Sequence, residues 1–247
     1  MAGSDTVRQL TLAFRLDQYA TLDNFHVNAA NRPVVTHLRE QLALAGDDPA
    51  VASGTVVRRF TWLSGVSGSG RSHLLQALCH HAGEHRLAAL YLPLRLHRDW
   101  QPEMLDGLET MDVLCLDDID AVAGQSEWEQ ALFHLYNRIA GGGARLFAAA
   151  DVRPGELPVQ LPDLRSRLQS AAVFRLHSPD DEDRRQALQL RARVRGFTLG
   201  DDEARYLLSR SGRSMRDLLD ILERLDGYSL ETGRRVTIPL IRSLMGW

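Results

Sequence analysis

An α/β sandwich built on a parallel sheet, followed by a C-terminal helical domain, is the fold class this chain predicts, and three observations carry it. Residues 65–72 read Gly65-Val66-Ser67-Gly68-Ser69-Gly70-Arg71-Ser72, the spacing of a phosphate-binding loop G-x-x-x-x-G-K-[ST] with arginine where lysine is expected. Short, near-continuous apolar runs recur around it, as in parallel strands covered on both faces. Beyond residue 177 strand-like runs stop and helix-start signals follow one another.

The elements follow in order. Residues 60–63 (Phe60-Thr61-Trp62-Leu63) form a buried strand that feeds the loop, and residues 72–78 form an apolar helix that leaves it. Successive glycines let backbone N–H groups turn onto a phosphate, the helix N-terminus adds partial positive charge, and Ser72 can offer its hydroxyl to Mg²⁺. Taken alone, the octapeptide also fits a flexible Gly/Ser turn before a helix. A planar guanidinium must grip phosphate from a different geometry than a compact ammonium, so Arg71 predicts retained binding with slow hydrolysis or none.

Residues 87–92 and 112–117 read as the next strands, with helical patterns between strands. Residues 128–139 have apolar positions at helical spacing and end in Gly141-Gly142-Gly143. Residues 146–150 and 173–176 are short strands, and residues 161–168 a helix between them. Then Ser178-Pro179-Asp180-Asp181 reads as a cap, a first-turn proline and first-turn acids. Further helices begin near Asp201 and at Ser214, where Ser214 and Asp217 resemble a capping box, and a last one spans residues 238–244. The domain boundary is placed near residue 177, giving an N-terminal tail over residues 1–20, an α/β domain over 21–177 and a helical domain over 178–247.

Composition narrows the function classes. The 247 residues are 44% hydrophobic and 25% charged, enough for one large core or a core with a small satellite domain. A formal charge of -3 gives no global basic field for duplex DNA. Cys79 and Cys115 sit in apolar surroundings and read as small core residues of a reducing compartment. The first residues lack a basic and apolar signal segment and no run reaches transmembrane length, so a cytoplasmic protein is expected. His80, His81 and His85 have no Cys or carboxylate at recurring ligand spacing and read as a solvated helix face.

The acids and arginines supply the chemistry. Asp117-Asp118 ends an apolar strand, where one carboxylate can hold Mg²⁺ through its waters and another can orient an attacking water; acids after a strand are also common in loops. Asp151 closes the following strand, as a γ-phosphate sensor or as a turn former before Arg153-Pro154. Arg165 and Arg167 share a short helix whose polar face can offer a guanidinium to a neighbouring subunit, a device worth on the order of 10³ to 10⁵ in rate for phosphoryl transfer; each also fits a solvated helix arginine. Arg216, with Arg210 and Arg213 as competitors, can fold from the helical domain onto bound phosphates.

These motifs, taken in order, resemble the AAA+ module of the DnaA family: the loop at 65–72, Val113-Leu114-Cys115-Leu116-Asp117-Asp118-Ile119-Asp120, Asp151 before Arg153-Pro154, Ser166-Arg167-Leu168 and Met215-Arg216-Asp217-Leu218. Thr21-Leu22-Asp23-Asn24-Phe25 is similar to the segment preceding that module, which contacts adenine in the family. The resemblance covers roughly residues 20–247. No helix-turn-helix pattern follows the lid in this sequence, and Arg71 replaces the loop lysine; both point to the Hda-type regulators of that family, whose lid end the closing Val236-Thr237-Ile238-Pro239-Leu240-Ile241 also resembles. The resemblance implies an AAA+ fold with a helical lid, Arg167 as an arginine finger acting in trans, Asp151 as sensor 1 and Arg216 as sensor 2. It implies a nucleotide, ADP or ATP, at Phe25, Gly65, Gly68, Ser69, Gly70, Arg71, Ser72, His73 and Arg216, with Mg²⁺ near Ser72 and Asp117, and Asp117, Asp118 and Asp151 around the reacting end.

The tail carries one more motif. Gln9-Leu10-Thr11-Leu12-Ala13-Phe14 is similar to the Q-L-x-L-x-[LF] peptide that docks on the bacterial sliding clamp. An extended backbone puts Leu10, Leu12 and Phe14 on one side while the Gln9 amide fixes the register; an edge strand shows the same alternation. The expected function is a clamp-bound AAA+ regulator that promotes hydrolysis of DnaA's ATP, with DnaA and the clamp as partners, DNA reached indirectly, no membrane, a nucleoid location through the clamp and a homo-oligomer left open. A loader-type ATPase and a nucleotide-gated adaptor without chemistry are the rival classes.

Overall fold

The computed structural model describes residues 16–45, 59–211, 214–232 and 235–247. The tail motif at residues 9–14 and Arg213 lie outside them.

The first regular element is helix α1 (Arg32–Ala43), not among the sequence expectations, with Pro33 in its first turn and Val34, Val35, Leu38 and Leu42 recurring on one buried face. Strand β1 (Phe60–Ser64) is buried throughout and leads through the glycine loop into α2 (Arg71–Glu84). Strands β2 (Ala89–Pro93) and β3 (Val113–Asp117) follow. The chain between them forms three short 3-10 turns, Leu94–Asp99, Pro102–Leu105 and Leu108–Thr110, in place of the expected regular helix. Pro102 and the left-handed Gly107 interrupt any longer helix there. Helix α3 (Ser126–Ala140), β4 (Arg145–Ala150), α4 (Pro162–Gln169) and β5 (Ala172–Arg175) complete the α/β layer.

All five strands are parallel, in the order β2-β3-β4-β1-β5. Alternation along the strands sorts their side chains. Phe60, Trp62, Leu114, Leu116, Leu146 and Ala148 pack into one core with Trp128 and Leu135 of α3 and Leu164 and Leu168 of α4. Leu63, Cys115, Phe147 and Ala149 enter the opposite core with α1 and α2. Register pairs Ser64 with Ala150 and with Arg175, so the C-terminal ends of neighbouring strands deliver the glycine loop, the acidic pair and Asp151 to one rim of the sheet.

Four helices follow: α5 (Asp181–Val194), α6 (Asp201–Arg210), α7 (Met215–Thr232) and α8 (Ile238–Met245). They bury a separate apolar cluster that includes Leu188, Leu207, Leu218, Leu222, Leu225 and Ile241. The cap of α5 is Asp180, not Ser178. Its carboxylate accepts from the Asp183 N–H at 2.8 Å, and Asp183 accepts from the Asp180 N–H at 3.3 Å, a reciprocal pair that leaves Pro179 outside the helix. At α7 the Ser214 hydroxyl accepts from the Asp217 N–H at 3.4 Å.

Candidate functional site

The glycine loop is a built concavity. Gly68 and Gly70 take φ of +82° and +97°, left-handed values that glycine adopts without strain. Gly70 has a second reason to lack a side chain, because a Cβ there would lie 2.7 Å from the Phe25 ring. Gly70 caps α2 with no side-chain acceptor, so the helix opens with its first-turn N–H groups facing the loop.

Arg71 starts α2 and is buried at 7% exposure. One arm of its guanidinium donates from Nη2 to Asp151 Oδ1 at 2.5 Å, while Nη1 is buried without a hydrogen-bond partner. A charged donor left in that state costs about 1–3 kcal/mol or more unless an anion meets it. The buried Ser69 hydroxyl of the same loop also lacks a partner. The fork geometry of arginine thus commits one arm to Asp151 and leaves the other without an acceptor. Asp151 is held from behind as well, its N–H donating to Asp120 Oδ1 at 3.2 Å.

The acidic pair divides into two environments. Asp117 is fully buried and accepts the Tyr91 hydroxyl at 2.7 Å and the Asp118 N–H at 3.0 Å. Burial, and then the neighbouring Asp118 charge, raise its pKa above the ordinary carboxylate value, although Ser72, Tyr91 and Arg71 oppose them. The same burial and the Asp117 charge push the Tyr91 hydroxyl far above its ordinary value. Asp118 stands in left-handed backbone at φ +55° and its carboxylate accepts from Arg95 Nη1 at 2.9 Å. Sequence reasoning missed Tyr91 and Arg95; Tyr91 lies in β2 beside β3 and Arg95 in the turn that follows β2, positions that meet the acidic pair only once the strands pair.

The loop is also fastened to the lid. Phe25 stacks near His73, with ring centres 5.3 Å apart. His73 contacts the Thr21 carbonyl through Nε2 at 2.8 Å and Arg191 of α5 through Nδ1 at 2.8 Å. Nε2 must carry the proton and Nδ1 must accept, which fixes one neutral tautomer. Burial, and then the Arg191 charge, lower the His73 pKa to about 3. Arg191 is itself buried, donates to the Tyr19 carbonyl and reaches Asp17 at 3.5 Å. Nearby, Asp183 of α5 receives His26 at 3.2 Å and the Asn28 amide at 3.0 Å. At the start of α7 a Cβ placed on Gly68 would stand 4.0 Å from the Met215 Cβ, so the lid closes over the loop; Arg216, one residue on, is exposed.

The two arginines of α4 have different fates. Arg165 is tied back to the Val159 carbonyl through Nη2. Arg167 is exposed, its guanidinium 5.8 Å from the centre of the Tyr136 ring. The entry to α4 is organised by Glu129, a buried carboxylate that accepts from the N–H groups of Gly124 at 2.7 Å, Gln160 at 3.0 Å and Leu161 at 2.7 Å. Nothing in the local sequence announces that role, since Glu129 reads as an ordinary first-turn acid.

The five-stranded parallel sheet, the glycine loop on its rim and the helical lid above it define a P-loop protein of the AAA+ class. Residues 95–174 match the family described as the bacterial DnaA ATPase domain, and residues 181–245 match the family described as the Hda lid domain. The chain is a DnaA- and Hda-like AAA+ protein. Among solved structures it is similar to domain III of the Thermotoga maritima replication initiation protein DnaA, at 22% identity and a TM-score of 0.71 over 94% of this chain and 98% of that one. AMPPCP-bound DnaA from Aquifex aeolicus matches at 21% identity and a TM-score of 0.68, over 88% of this chain and 68% of that one. The T. maritima RuvB Holliday junction branch migration motor shares the fold at 18% identity and a TM-score of 0.60, over 93% and 73%. Among the described residues no helix is long and apolar enough to cross a membrane.

Proposed function

We propose that this protein holds a nucleotide without turning it over efficiently, and in that state accelerates hydrolysis of ATP bound to DnaA. The observation that carries the reading is Arg71. One arm is committed to Asp151 and the other is buried with no hydrogen-bond partner, which fits a phosphate oxygen and suits retention. Gly68 and Gly70 would present backbone N–H groups, Phe25 would border the base, and Ser72 with Asp117 offers the oxygen donors that suit Mg²⁺. A bound nucleotide, ADP in this reading, would supply the acceptor that the buried Nη1 lacks.

Hydrolysis within the chain needs a carboxylate free to orient water. Asp118 is the candidate, and Arg95 engages it. The lid is pinned by Arg191 and His73, so the core and lid form one surface for a partner. Arg167, exposed on α4, would serve as the finger placed against the phosphates of a neighbouring DnaA, where a guanidinium offsets charge developing on the transferred group. Arg165, held by Val159, plays no such part. The tail residues Gln9, Leu10, Leu12 and Phe14 would bring the protein to the sliding clamp on DNA, and through it to the nucleoid.

Recruitment is tested by following release of label from ATP preloaded on DnaA, with clamp on or off DNA. Wild type is expected to stimulate release only with DNA-loaded clamp, and Phe14→Ala to lose that stimulation. Stimulation independent of the clamp, or unaffected by Phe14→Ala, removes the docking step. The loader-type reading predicts substantial turnover by the isolated chain.

A further inference from the structure

The far end of α2, opposite the glycine loop, gathers side chains that the nucleotide reading does not use. His80, His81 and His85 look alike in the sequence, but the structure sorts them. His80 turns to the Asp17 carbonyl, 2.9 Å from its Nε2, and is engaged there. His81 and His85 lie one helical turn apart with ring centres 4.2 Å apart, and Glu84 reaches to 3.9 Å from His81 Nδ1. One donor atom from each of His81, Glu84 and His85 lies within 4.8 Å of the other two. The carboxylate missing from the sequence reading is therefore Glu84, brought beside both imidazoles by the helical repeat.

We propose that His81, Glu84 and His85 form a surface binding site for a divalent transition ion of the Zn²⁺ class. Two imidazoles and one carboxylate make a donor set that suits such ions, and Mg²⁺ or Ca²⁺ much less. His85 is set up as a ligand: its Nδ1 lies 2.8 Å from the His81 carbonyl and donates to it, which leaves the Nε2 lone pair free. Zinc bonds of about 2.0–2.2 Å need these donors to draw closer than they stand, and Glu84 and His85 are exposed side chains while His81 is half-buried. The site also stands at the C-terminus of α2, where carbonyl groups favour a cation. Three protein donors leave the fourth position to water or to a donor from another molecule.

The test is calorimetric titration of ZnCl₂ into the full, untagged chain with Cys79 and Cys115 kept reduced, alongside His81→Ala, His85→Ala and His80→Ala. Wild type is expected to bind one equivalent saturably, His81→Ala and His85→Ala to weaken binding by about tenfold or more, and His80→Ala to match wild type. Far-UV circular dichroism confirms that the exposed-site variants remain folded. Absence of saturable binding by wild type, or binding by His81→Ala and His85→Ala as tight as that of wild type, overturns the site; the latter result assigns the ion to the thiols or another donor set.

Discussion

Arg71 Nη2 and Asp151 Oδ1 meet at 2.5 Å, joining the first residue of α2 to the residue that follows β4 across the rim of the sheet. The pair holds one arm of a buried guanidinium, and the aim of the other, unpartnered arm depends on it. Asp151→Ala should therefore loosen the aim without deleting the charge, while Arg71→Ala deletes both. Fluorescent ADP titration is expected to show roughly tenfold weaker binding for Asp151→Ala and a larger loss for Arg71→Ala, in line with about 1.5–3 kcal/mol for a charged hydrogen bond. Equal affinity for wild type and Arg71→Ala would remove the guanidinium from the nucleotide site.

Arg95 restrains Asp118 in an ion pair that is partly open to water, so removing it should cost little stability. Arg95→Ala is expected to raise ATP turnover by the isolated chain by about tenfold or more, a fraction of what a positioned base can contribute. Steady-state phosphate release measures it. No increase would show that the Arg95 contact is not what limits the chain.

His73 gives the lid contact a pH signature. Its folded-state pKa of about 3 lies below its ordinary 6.5. Between those values the unfolded chain takes up the proton that the folded chain refuses. The stability tied to His73 is thus fully present above pH 6.5 and is lost as pH falls toward 3, by at most about 1.4 kcal/mol per pH unit. Urea midpoints at pH 7 and pH 5 should fall further for wild type than for His73→Asn. Equal falls would mean that His73 is accessible to protons in the native state.

Glu129 accepts from three backbone N–H groups, of Gly124 ahead of α3 and of Gln160 and Leu161 leading into α4. Glu129→Ala would strand buried donors and is expected to cost about 2–4 kcal/mol, read as a lowered urea midpoint. Because α4 carries Arg167, the same variant should lose stimulation of DnaA while still binding ADP. Undiminished stability would contradict the role given to this carboxylate.

The sheet was legible because its strands are continuous apolar runs, and the glycine loop because its spacing is specific. The contacts that make the site particular were not. Tyr91 and Arg95 become neighbours of the acidic pair only when β2 pairs with β3, and Arg191 meets His73 across 118 residues of chain. Such long-range contacts leave no local pattern. The start of α5 moved from Ser178 to Asp180 because a reciprocal Asp180–Asp183 cap won over a plausible Ser-Pro beginning. Helix α1 is readable from Pro33 and its apolar face. The histidines at the end of α2 show the opposite case, where identical residue types separate only through what each ring faces.

The most direct measurement loads DnaA with γ-labelled ATP and this protein with unlabelled ADP, mixes them on DNA-loaded clamp and follows a single turnover of label with wild type and Arg167→Ala. Rapid release with wild type and release near the unstimulated rate with Arg167→Ala, while Arg165→Ala behaves as wild type, is the expected result. Equal stimulation by wild type and Arg167→Ala would contradict a finger acting in trans and leave a nucleotide-gated adaptor in its place.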